Sequence, residues 1–357
     1  METIIEGNAK IQVEIQKIVD KKMPTFYNPI MSTNRDFTLL VLYALEKETL
    51  DIIDPLAGTG IRSIRILKEL PETKIRKIVV NDIKPDFKEI MTQNLELNNI
   101  NNTTKIEILN LDANTALNTQ GHFDYIDLDP FGTPNPYLDS AIRALKRNGI
   151  LSICATDTSS LCGSYKKACK RKYWATPSRD ELMHEFGTRI LIRKVQLLGA
   201  HHERALTPLL SYATDHYIKV FFKSKNSKSE VDEILKQHKY YNEKGPIWLG
   251  PIQDEELIIK MIDQKTIPIT KKTEKLLTTL KEEAQIKEPF YCDTHKYSSE
   301  QKHKTVPKIN KIIEKLEDKG YLATKTHFNQ NAIKTNAPQE TIHKIIDKLT
   351  EQNIKEN

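Results

Sequence analysis

The sequence predicts an α/β protein, in which a doubly wound, mostly parallel sheet precedes a smaller α+β domain. Two observations predict the sheet: short apolar runs alternate with helical patterns up to about residue 220, and turn or acidic residues follow those runs. A third observation predicts the second domain, since no arginine follows Arg204 in a chain of 357 residues. A chain of this length is long enough for two domains.

The elements of the first domain follow in order along the chain. Parallel strands are predicted at residues 50–54, 77–81, 105–109, 123–128 and 150–154. Helices are predicted at residues 61–70, 85–98, 137–146 and 179–198. Pro85 suits the first turn of its helix, and Asn148-Gly149 is a C-cap signal for the third helix. Two further strands at residues 209–213 and 217–222 are adjacent and could form an antiparallel edge pair.

The boundary between the domains is predicted from composition. Residues 223–230 are polar, lack an apolar period and are interpreted as a linker. They separate a first domain of residues 1–223 from a second domain of residues 224–357. The second domain is rich in lysine and contains no arginine.

The end of the second domain has a pattern of its own. A helix is predicted at residues 306–319, and it ends at Gly320. Two short strand-like pieces follow at residues 321–328 and 332–335. A helix followed by a hairpin is the outline of a winged-helix-like module.

Composition disfavours membrane, secreted and zinc-dependent proteins. No apolar run approaches the ~20 residues of a membrane span, and the N-terminus lacks the features of a signal peptide. A cytoplasmic location is therefore expected. The four cysteines form no C-x-x-C pair and are expected to be free thiols, so no metal site is assigned. No obligate protein partner is evident.

Positive charge is concentrated in one stretch of the chain. The net charge is +6, but residues 143–194 contain 12 Lys and Arg against 4 Asp and Glu. Within this stretch, residues 166–174 interleave basic residues with tyrosine and tryptophan. Such a pattern suits the phosphates and stacked bases of a nucleic acid. The alternative is a solvated basic loop.

A glycine turn directly follows the first predicted strand. It begins at Asp54 and contains Gly58 and Gly60, which let the backbone approach a ligand closely before the next helix begins. A G-x-G pair also occurs in ordinary tight turns. Ser63 stands where a dinucleotide-binding pattern has its third glycine, which disfavours a pyrophosphate site and a nicotinamide-dependent oxidoreductase. The methionine carboxylate of S-adenosylmethionine would suit this turn.

Two acidic residues follow the second and third predicted strands. Asp82 lies 22 residues after Gly60, where a carboxylate can accept both ribose hydroxyls of an adenosine group. Asp112 follows the third strand, where it can accept a hydrogen bond from the adenine amino group. The alternatives are a helix-capping aspartate for the first residue and an ordinary loop aspartate for the second.

The fourth predicted strand ends in the most informative segment, residues 129–134. Ligands of open α/β sheets bind at these carboxyl ends. An exocyclic amine on a base is a poor nucleophile, because its lone pair is delocalised, and the carboxylate of Asp129 can accept its N–H bonds and its departing proton. Pro130 constrains the turn, and Phe131 can stack on a base. Asp127 is expected to point the opposite way along the strand and is less favoured. The structural alternative is an ordinary proline turn.

Asp129-Pro130-Phe131 resembles the Asp/Asn-Pro-Pro-aromatic signature of amino methyltransferases. The longer segment, residues 129–134, resembles the signature of tRNA guanine-N2 dimethyltransferases, the family acting at tRNA position 26, in its archaeal type. Other segments similar to this family lie along nearly the whole chain, at residues 6–9, 26–29, 34–36, 60–62, 208–212, 215–217, 245–251, 326–328 and 334–338.

The resemblance implies a class I (Rossmann-like) methyltransferase domain that uses S-adenosylmethionine, and a C-terminal tRNA-binding domain. It implies mono- and then dimethylation of the N2 amino group of a guanine in tRNA. By resemblance, the residues that line the cofactor site are Arg35, Arg62, Asp82, Asp112 and Ala113. By resemblance also, Asp129 is the catalytic acceptor, and Phe26 and Phe131 sandwich the guanine. Without the resemblance, the two arginines would be surface ion pairs and Phe26 a core residue.

One departure and two alternatives accompany this interpretation. Some family members carry a cysteine cluster before the Gly-Pro-Ile-Trp segment, but residues 237–244 contain no cysteine, which makes a structural zinc doubtful. The first alternative is an amino methyltransferase for another RNA base, a DNA base or a protein side chain. The second is a non-catalytic RNA-binding protein on a methyltransferase fold, which the intact Asp82, Asp112 and Asp129 argue against.

Overall fold

The computed structural model describes residues 2–13, 27–101, 103–303 and 305–355. The strands are β1 (Glu2–Glu6), β2 (Ala9–Val13), β3 (Leu50–Asp54), β4 (Ile75–Asn81), β5 (Ile106–Leu109), β6 (Phe123–Leu128), β7 (Leu145–Ala155), β8 (Arg204–Thr214), β9 (Tyr217–Asn226), β10 (His238–Tyr241), β11 (Lys244–Trp248), β12 (Cys292–Asp293), β13 (Ala323–Lys325) and β14 (Ala332–Thr335). The helices are α1 (Ser32–Ala44), α2 (Ile61–Glu69), α3 (Phe87–Leu97), α4 (Ala113–Thr119), α5 (Leu138–Ala144), α6 (Thr158–Leu161), α7 (Lys166–Tyr173), α8 (Met183–His201), α9 (Lys228–Lys236), α10 (Glu255–Asp263), α11 (Lys271–Ala284), α12 (Thr294–Glu300), α13 (Ile309–Glu317) and α14 (Gln339–Lys355).

A seven-stranded sheet in the order β5-β4-β3-β6-β7-β9-β8 lies at the centre of the molecule. Strands β3 to β7 are parallel, whereas β9 is antiparallel to both β7 and β8. The chain builds outward from β3 through β4 to β5 and then returns to place β6 on the other side of β3. A crevice forms at such a reversal, outside the carboxyl ends of the strands, so the residues that follow β3 and β6 meet there.

Helices cover both faces of this sheet. Ile52 packs in a core with residues of α1, α2 and α3, whereas the next residue, Ile53, packs in a second core with residues of α5 and α8. This division follows from the alternation of side chains along a strand. Because both faces are covered, β6 is buried at every position, as parallel strands in doubly wound folds usually are.

The doubly wound sheet predicted from the sequence is confirmed. The strands predicted at residues 50–54 and 123–128 coincide with β3 and β6. The two adjacent strands predicted near residue 215 are β8 and β9, and they are antiparallel as expected. Of these two strands, β8 lies at an edge of the sheet and β9 does not, because β9 is inserted between β7 and β8.

Several predicted helix boundaries are wrong. Helix α5 ends at Ala144 and β7 begins at the next residue, so Asn148-Gly149 lies within a strand and not at a helix C-cap. Asn148 does adopt a left-handed φ of 61°, but it does so where the register between β6 and β7 shifts. Pro85 precedes α3, which begins at Phe87. Helix α8 begins four residues later than predicted, at Met183.

The predicted linker at residues 223–230 is also wrong. Residues 223–226 complete β9, where they pair with β8, and α9 begins at Lys228 with Ser227 as its N-cap. Helix α9 buries Val231 and Ile234 in the core that α8 shares with the sheet. The end of a paired strand and the start of a short amphipathic helix both have a polar composition, which explains why the pattern suggested a linker.

The C-terminal half of the chain, which here means the elements from α9 to α14, is joined closely to the sheet. Helices α10 and α11 bury apolar residues in the core of α1, and Ile247 and Trp248 of β11 enter the core of α8. A third core joins α13, β14 and α14 near the end of the chain. There, α13 precedes the antiparallel strands β13 and β14, as the helix-then-hairpin pattern predicted. The strand β12 pairs with β14 and completes a sheet of order β12-β14-β13. Among the described residues, no helix has the length and apolar character needed to cross a membrane.

Candidate active site

A cavity of about 460 Å³ opens at the carboxyl edge of the sheet, beside the reversal of strand order between β3 and β6. The residues predicted for the site that line this cavity are Arg35, Asp54, Gly58, Arg62, Asp82, Asp129, Pro130 and Phe131. Gly60, Asp112 and Ala113 are not among its lining residues. Phe26 lies outside the described residues.

The turn between β3 and α2 depends on two glycines. Gly58 has a φ of 60° and Gly60 a φ of 76°, in the left-handed region that side chains disfavour. A Cβ on Gly60 would overlap the Sδ of Met91, so α3 packs closely against this turn. The backbone N–H of Gly58 donates to Oδ2 of Asp82 over 2.8 Å, which joins the turn after β3 to the acid after β4. Gly60 therefore shapes the turn without lining the cavity.

The acids after β4 and β5 differ in their contacts. Asp82 is 8% exposed, lines the cavity and also accepts a hydrogen bond from the backbone of Lys84. Asp112 caps α4 by accepting from the backbone N–H of Asn114 over 2.9 Å. Burial and the charges of Asp112 and Asp82 raise the pKa of Tyr137, a residue of the cavity wall. Asp112 therefore caps a helix and does not line the cavity.

Asp129 is held in the cavity wall by Arg62. Nη2 of Arg62 donates to Oδ2 of Asp129, while Nη1 donates to Oδ1 of Asn34 over 2.9 Å and to Oγ1 of Thr38 over 2.8 Å. Arg62 is only 6% exposed, and Asn34 and Thr38 both belong to α1. These contacts hold the guanidinium in place, and the guanidinium in turn orients the carboxylate.

The prediction that Asp127 points away from Asp129 is wrong. Residues two positions apart on a strand share a face, and both carboxylates bind Arg62. Asp127 is 1% exposed and also accepts hydrogen bonds from the hydroxyl of Tyr125 over 2.6 Å and from Nζ of Lys219 over 2.9 Å. Asp127 is therefore a buried anchor for Arg62.

Lys219 is a residue of this cluster that the sequence analysis missed. It lies in β9, it is fully buried, and its ammonium group binds Asp127. A lone lysine between Ile218 and Val220, in the middle of an apolar strand, was the signal that could have identified it. Buried lysines are rare unless they are paired, so such a position indicates a buried carboxylate nearby.

The carboxyl groups around Arg62 differ in pKa. The pKa of Asp54 is raised to about 7, because burial and the charges of Asp127 and Asp129 together outweigh the opposing effect of Arg62. Burial also acts to raise the pKa of Asp127, but Arg62 and Lys219 outweigh burial and hold it below its ordinary range. Burial acts to lower the pKa of Arg62, yet the three carboxylates raise it overall. Asp54 is therefore the member of this cluster whose charge changes near neutral pH.

Arg35 is bound by the N-terminal hairpin of β1 and β2. Its Nε and Nη2 donate to the two carboxylate oxygens of Glu6 over 2.6 and 2.5 Å, and its guanidinium lies 5.2 Å from the ring centre of Tyr27. Burial acts to raise the pKa of Glu6, but Arg35 and Arg65 lower it to about 2. Glu6 and Tyr27 were assigned no role in the sequence analysis, although both lie in segments that resemble the family.

Phe131 lies on a turn with a fixed backbone at the mouth of the cavity. Its side chain is 51% exposed. The N–H of Gly132 donates to Oγ1 of Thr156 over 2.7 Å, and the N–H of Thr156 donates to the carbonyl of Gly132 over 2.9 Å. An exposed ring on a fixed turn can stack against a planar ligand. Tyr27, the neighbour of Phe26 in sequence, lines the same cavity.

The chemistry of the cavity fits S-adenosylmethionine. That molecule carries a sulfonium and an ammonium group, one carboxylate and an adenosine, and the cavity presents carboxylates from Asp54, Asp82 and Asp129 beside the guanidinium of Arg62. The hydroxyl of Thr59 is buried in the wall and has no hydrogen-bond partner among the described residues, a costly arrangement that a polar ligand would relieve. In the part of the chain that the structure describes, no three His, Cys, Asp or Glu side chains are placed to hold a metal ion.

Comparison with protein families and curated sequences gives consistent matches. A family model described as N2,N2-dimethylguanosine tRNA methyltransferase matches residues 7–243 and 238–347. The tRNA (guanine(26)-N(2))-dimethyltransferase of Methanobrevibacter smithii is 37% identical over 390 residues, which cover 99% of each chain. The tRNA (guanine(26)-N(2)/guanine(27)-N(2))-dimethyltransferase of Aquifex aeolicus is 37% identical and covers 98% of this chain and 96% of its own.

A solved structure gives the same result for the fold. The complex of Trm1 from Pyrococcus horikoshii with S-adenosyl-L-methionine aligns with a TM-score of 0.87 and 34% sequence identity. The alignment covers 97% of this chain and 100% of the other. This likeness confirms the predicted class I fold with a smaller C-terminal part.

Proposed function

Because the chain belongs to the N2,N2-dimethylguanosine tRNA methyltransferase family, we propose that it methylates the N2 amino group of guanine 26 in tRNA with S-adenosylmethionine. One methyl group is added first and a second one follows. The observation that carries this proposal is the position of Asp129. Its carboxylate is oriented by Arg62 in the wall of a cavity that fits the cofactor, and the exposed ring of Phe131 lies on the same turn.

The turns after β3, β4 and β5 hold the cofactor in this proposal. When bound, S-adenosylmethionine supplies a methyl group attached to a positively charged sulfur. Asp82 accepts hydrogen bonds from the ribose hydroxyls, and Asp112 and Ala113 lie beside the adenine. The residues around the methionine part are Arg35, Asp54, Gly58, Gly60 and Arg62. The support for this arrangement is the set of side chains at the carboxyl ends of the strands, where ligands of doubly wound sheets bind.

Asp129 acts on the amino group of the base. The target guanine leaves its stack, since its amino group cannot reach the cavity from within a helix, and it enters between Phe131 and Phe26. The carboxylate of Asp129 accepts a hydrogen bond from the amino group and favours the pyramidal nitrogen whose lone pair forms the new N–C bond. Asp129 also receives the proton that leaves this nitrogen. Each new N–C bond forms as the bond between sulfur and the methyl carbon breaks, so a second transfer requires exchange of S-adenosylhomocysteine for another S-adenosylmethionine and release of the proton from Asp129 to solvent. The monomethyl amine then rotates and presents its remaining hydrogen to the same carboxylate.

The two parts of the chain divide this work between them. Residues 1–223 bind the cofactor and carry Asp129, whereas residues 224–357, with their winged-helix-like end, bind tRNA. The basic stretch at residues 143–194 contacts the tRNA as well. Support comes from the excess of Lys and Arg in that stretch and from the lysine-rich composition of the second part, because phosphate contacts dominate the affinity for nucleic acids.

Mass spectrometry of nucleosides tests the proposal. An unmodified tRNA transcript incubated with the protein and S-adenosylmethionine should yield N2-methylguanosine early and N2,N2-dimethylguanosine later, whereas a transcript with adenine at position 26 should yield neither. Methylation of duplex DNA or of protein instead of tRNA would refute the proposal. Analysis of nuclease fragments also distinguishes position 26 alone from the pair of positions named for the Aquifex aeolicus relative.

A further inference from the structure

An exposed tryptophan lies at the C-terminal end of α7. Trp174 is 50% exposed, whereas the second tryptophan of the chain, Trp248, is 2% exposed. The backbone of Trp174 has a φ of 56°, in the left-handed region that bulky residues rarely adopt. An unfavourable backbone conformation persists only where the surrounding structure enforces it, so the contacts around this side chain matter.

Two residues of α8 hold Trp174 in place. Nζ of Lys194 lies 2.9 Å from the centre of the indole ring and covers one of its faces. Nη1 of Arg193 donates to the backbone carbonyl of Trp174 over 3.3 Å. Lys194 is itself 5% exposed, so the exposed half of the indole lies away from it. The result is a fixed aromatic ring with one face against a cation and the rest open to a planar group.

The end of α7 is also fixed against the turn that carries Asp129. The hydroxyl of Tyr173 lies 3.0 Å from Oγ1 of Thr133, and the side-chain amide of Asn135 donates to the backbone carbonyl of Lys172 over 2.9 Å. Thr133 follows Asp129 by four residues. A nucleotide stacked on Trp174 would therefore belong to the same stretch of tRNA as the guanine that enters the cavity.

Helix α7 itself supplies the charge for a polynucleotide. Its exposed residues include the five cations Lys166, Lys167, Lys170, Arg171 and Lys172, and the helix contains no acidic residue. Lysine and arginine beside an aromatic ring form the combination that binds single-stranded nucleic acids, in which cations follow the backbone and bases stack on rings. A lipid surface or an acidic protein would use the same cations but would not need a fixed, half-open indole.

We propose that Trp174 stacks against a second base of the substrate tRNA, near the target guanine, while α7 binds the adjacent phosphates. This inference rests on the proposed function and adds a binding subsite to it. Every base has a flat face, so the contact would tolerate any sequence at that nucleotide. Its effect is to hold the strand while the target guanine occupies the cavity.

Tryptophan fluorescence tests the contact directly. Because Trp248 is buried, a change in emission when unmodified tRNA transcript binds without cofactor should come from Trp174. We expect saturable quenching in the wild-type protein and its loss in the Trp174→Phe variant. Unchanged emission at tRNA concentrations that saturate binding in a filter assay would overturn the inference.

Steady-state kinetics provide a second measurement. Trp174→Ala should raise the KM for tRNA roughly 5- to 150-fold, the range for loss of one stacked base, without changing the affinity for S-adenosylmethionine. Trp174→Phe should restore most of the loss, since it keeps an aromatic ring on the same backbone. The control is His122→Ala, which removes an exposed ring outside residues 143–194. His122 directly precedes β6, at the end of that strand opposite the cavity, so this variant should change KM by no more than about twofold.

The outcomes separate the subsite from the proposed function. A Trp174→Ala variant with an unchanged KM for tRNA overturns the subsite while tRNA methylation by the wild-type protein stands. If the wild-type protein methylates no tRNA, the proposed function fails and the subsite fails with it. An equal loss in His122→Ala and Trp174→Ala would also count against a specific stacking contact.

Discussion

At the scale of single residues, the site is organised around the guanidinium of Arg62. It contacts Asp127 and Asp129 directly and lies 4.0 Å from Asp54, while Lys219 neutralises Asp127 from the other side. Three carboxyl groups against two cations leave a negative excess whenever Asp54 is ionised. A cofactor with a net positive charge suits such a cluster, because opposite charges attract strongly in a poorly solvated cavity.

Asp129→Asn tests the catalytic assignment. The amide keeps the shape of the side chain but cannot receive a proton, so transfer should slow by roughly 10²- to 10⁴-fold. Binding of S-adenosylmethionine should stay within about tenfold, since the wall of the cavity is otherwise intact. Single-turnover transfer of labelled methyl groups and calorimetry measure the two quantities. Asp139→Asn, the same change at an exposed position on α5, is the control. Near-normal turnover in Asp129→Asn would show that another group has this role.

Lys219→Met tests the buried anchor of Arg62. Loss of the ammonium removes one of the two cations that bind Asp127, and removal of one partner from a buried ion pair costs roughly 3–5 kcal/mol of unfolding free energy. The double variant Lys219→Met/Asp127→Asn should recover part of this loss, because it no longer buries an undercompensated charge. Denaturant unfolding measures both. A double variant less stable than Lys219→Met alone would contradict this account.

Asp54 should make stability depend on pH in a specific direction. Its pKa is about 7 in the folded chain against an ordinary value of 3.8, so between these values the folded state holds a proton that the unfolded state has released. The contribution of this group to the free energy of unfolding is therefore fully present below about pH 4 and is lost as pH rises through 7.

The variant Asp54→Asn should lack this dependence. Relative to the wild type, it should gain unfolding free energy between pH 5 and pH 8, on the order of 2 kcal/mol. Denaturant unfolding of both proteins at the two pH values gives the difference. An equal difference at pH 5 and pH 8 would mean that Asp54 is ionised throughout.

At the scale of elements, the turn from β3 to α2 shows how a helix is positioned by its neighbour. Gly60 is the N-cap residue of α2, and its missing side chain leaves room for Met91 of α3. The approach of α3 lets Asn94 donate to the backbone carbonyl of Thr59 over 3.1 Å. The glycine therefore serves the packing of two helices as well as the shape of the cavity.

Gly60→Ala should lower the free energy of unfolding more than the same substitution at another glycine of similar backbone conformation. Gly121 has a φ of 94° and open space around its Cβ position, so Gly121→Ala measures the backbone strain of about 1–2 kcal/mol by itself. Gly60→Ala adds overlap with Met91, which should cost roughly 1–3 kcal/mol more and weaken the binding of S-adenosylmethionine. Thermal unfolding and calorimetry measure these effects. Equal losses of stability in the two variants would show that α3 moves away from the added methyl group without a loss of packing energy.

At the scale of the whole molecule, the C-terminal half closes the cores that the sheet begins. Asp36 of α1 accepts hydrogen bonds from the backbone of Thr270 over 3.0 Å and from the hydroxyl of Thr273 over 2.6 Å. On the other face, Glu185 of α8 accepts from the backbone N–H of Phe290 over 2.8 Å and lies 3.6 Å from Nζ of Lys334. The two functional parts that we propose therefore share both of the cores that cover the sheet.

A chain that ends at Asn226 should not fold as the full chain does. It would expose the apolar faces that α10, α11 and β11 cover, including the surroundings of Leu277 and Trp248. Exposure of surfaces of this size favours aggregation. We expect a low yield of protein without a sharp thermal transition, measured by near-UV circular dichroism. A cooperative transition at the midpoint of the full chain would mean that residues 1–226 form an independent domain.

Local patterns in the sequence were sufficient for the sheet and for much of the candidate site. Strands with both faces buried are continuous apolar runs, so β3 and β6 could be located from residues 50–54 and 123–128 alone. Parallel strands bring their carboxyl ends together, and this rule predicts Asp54, Asp82 and Asp129 at one edge of the sheet. Family-like segments added Arg35 and Arg62, which backbone patterns do not reveal.

Only the tertiary structure decided which of these groups contact one another. Lys219 lies 92 residues from Asp127 in the chain, and Glu6 lies 29 residues from Arg35, so no local period connects either pair. The C-terminal half looked separate because its composition changes, yet the burial of α10, α11 and β11 depends on apolar faces contributed by distant parts of the chain. The sequence by itself determined the sheet and the acids at its edge, because these depend on neighbours along the chain. Long-range packing determined the partners of Arg62 and the union of the two halves, because these depend on neighbours in space.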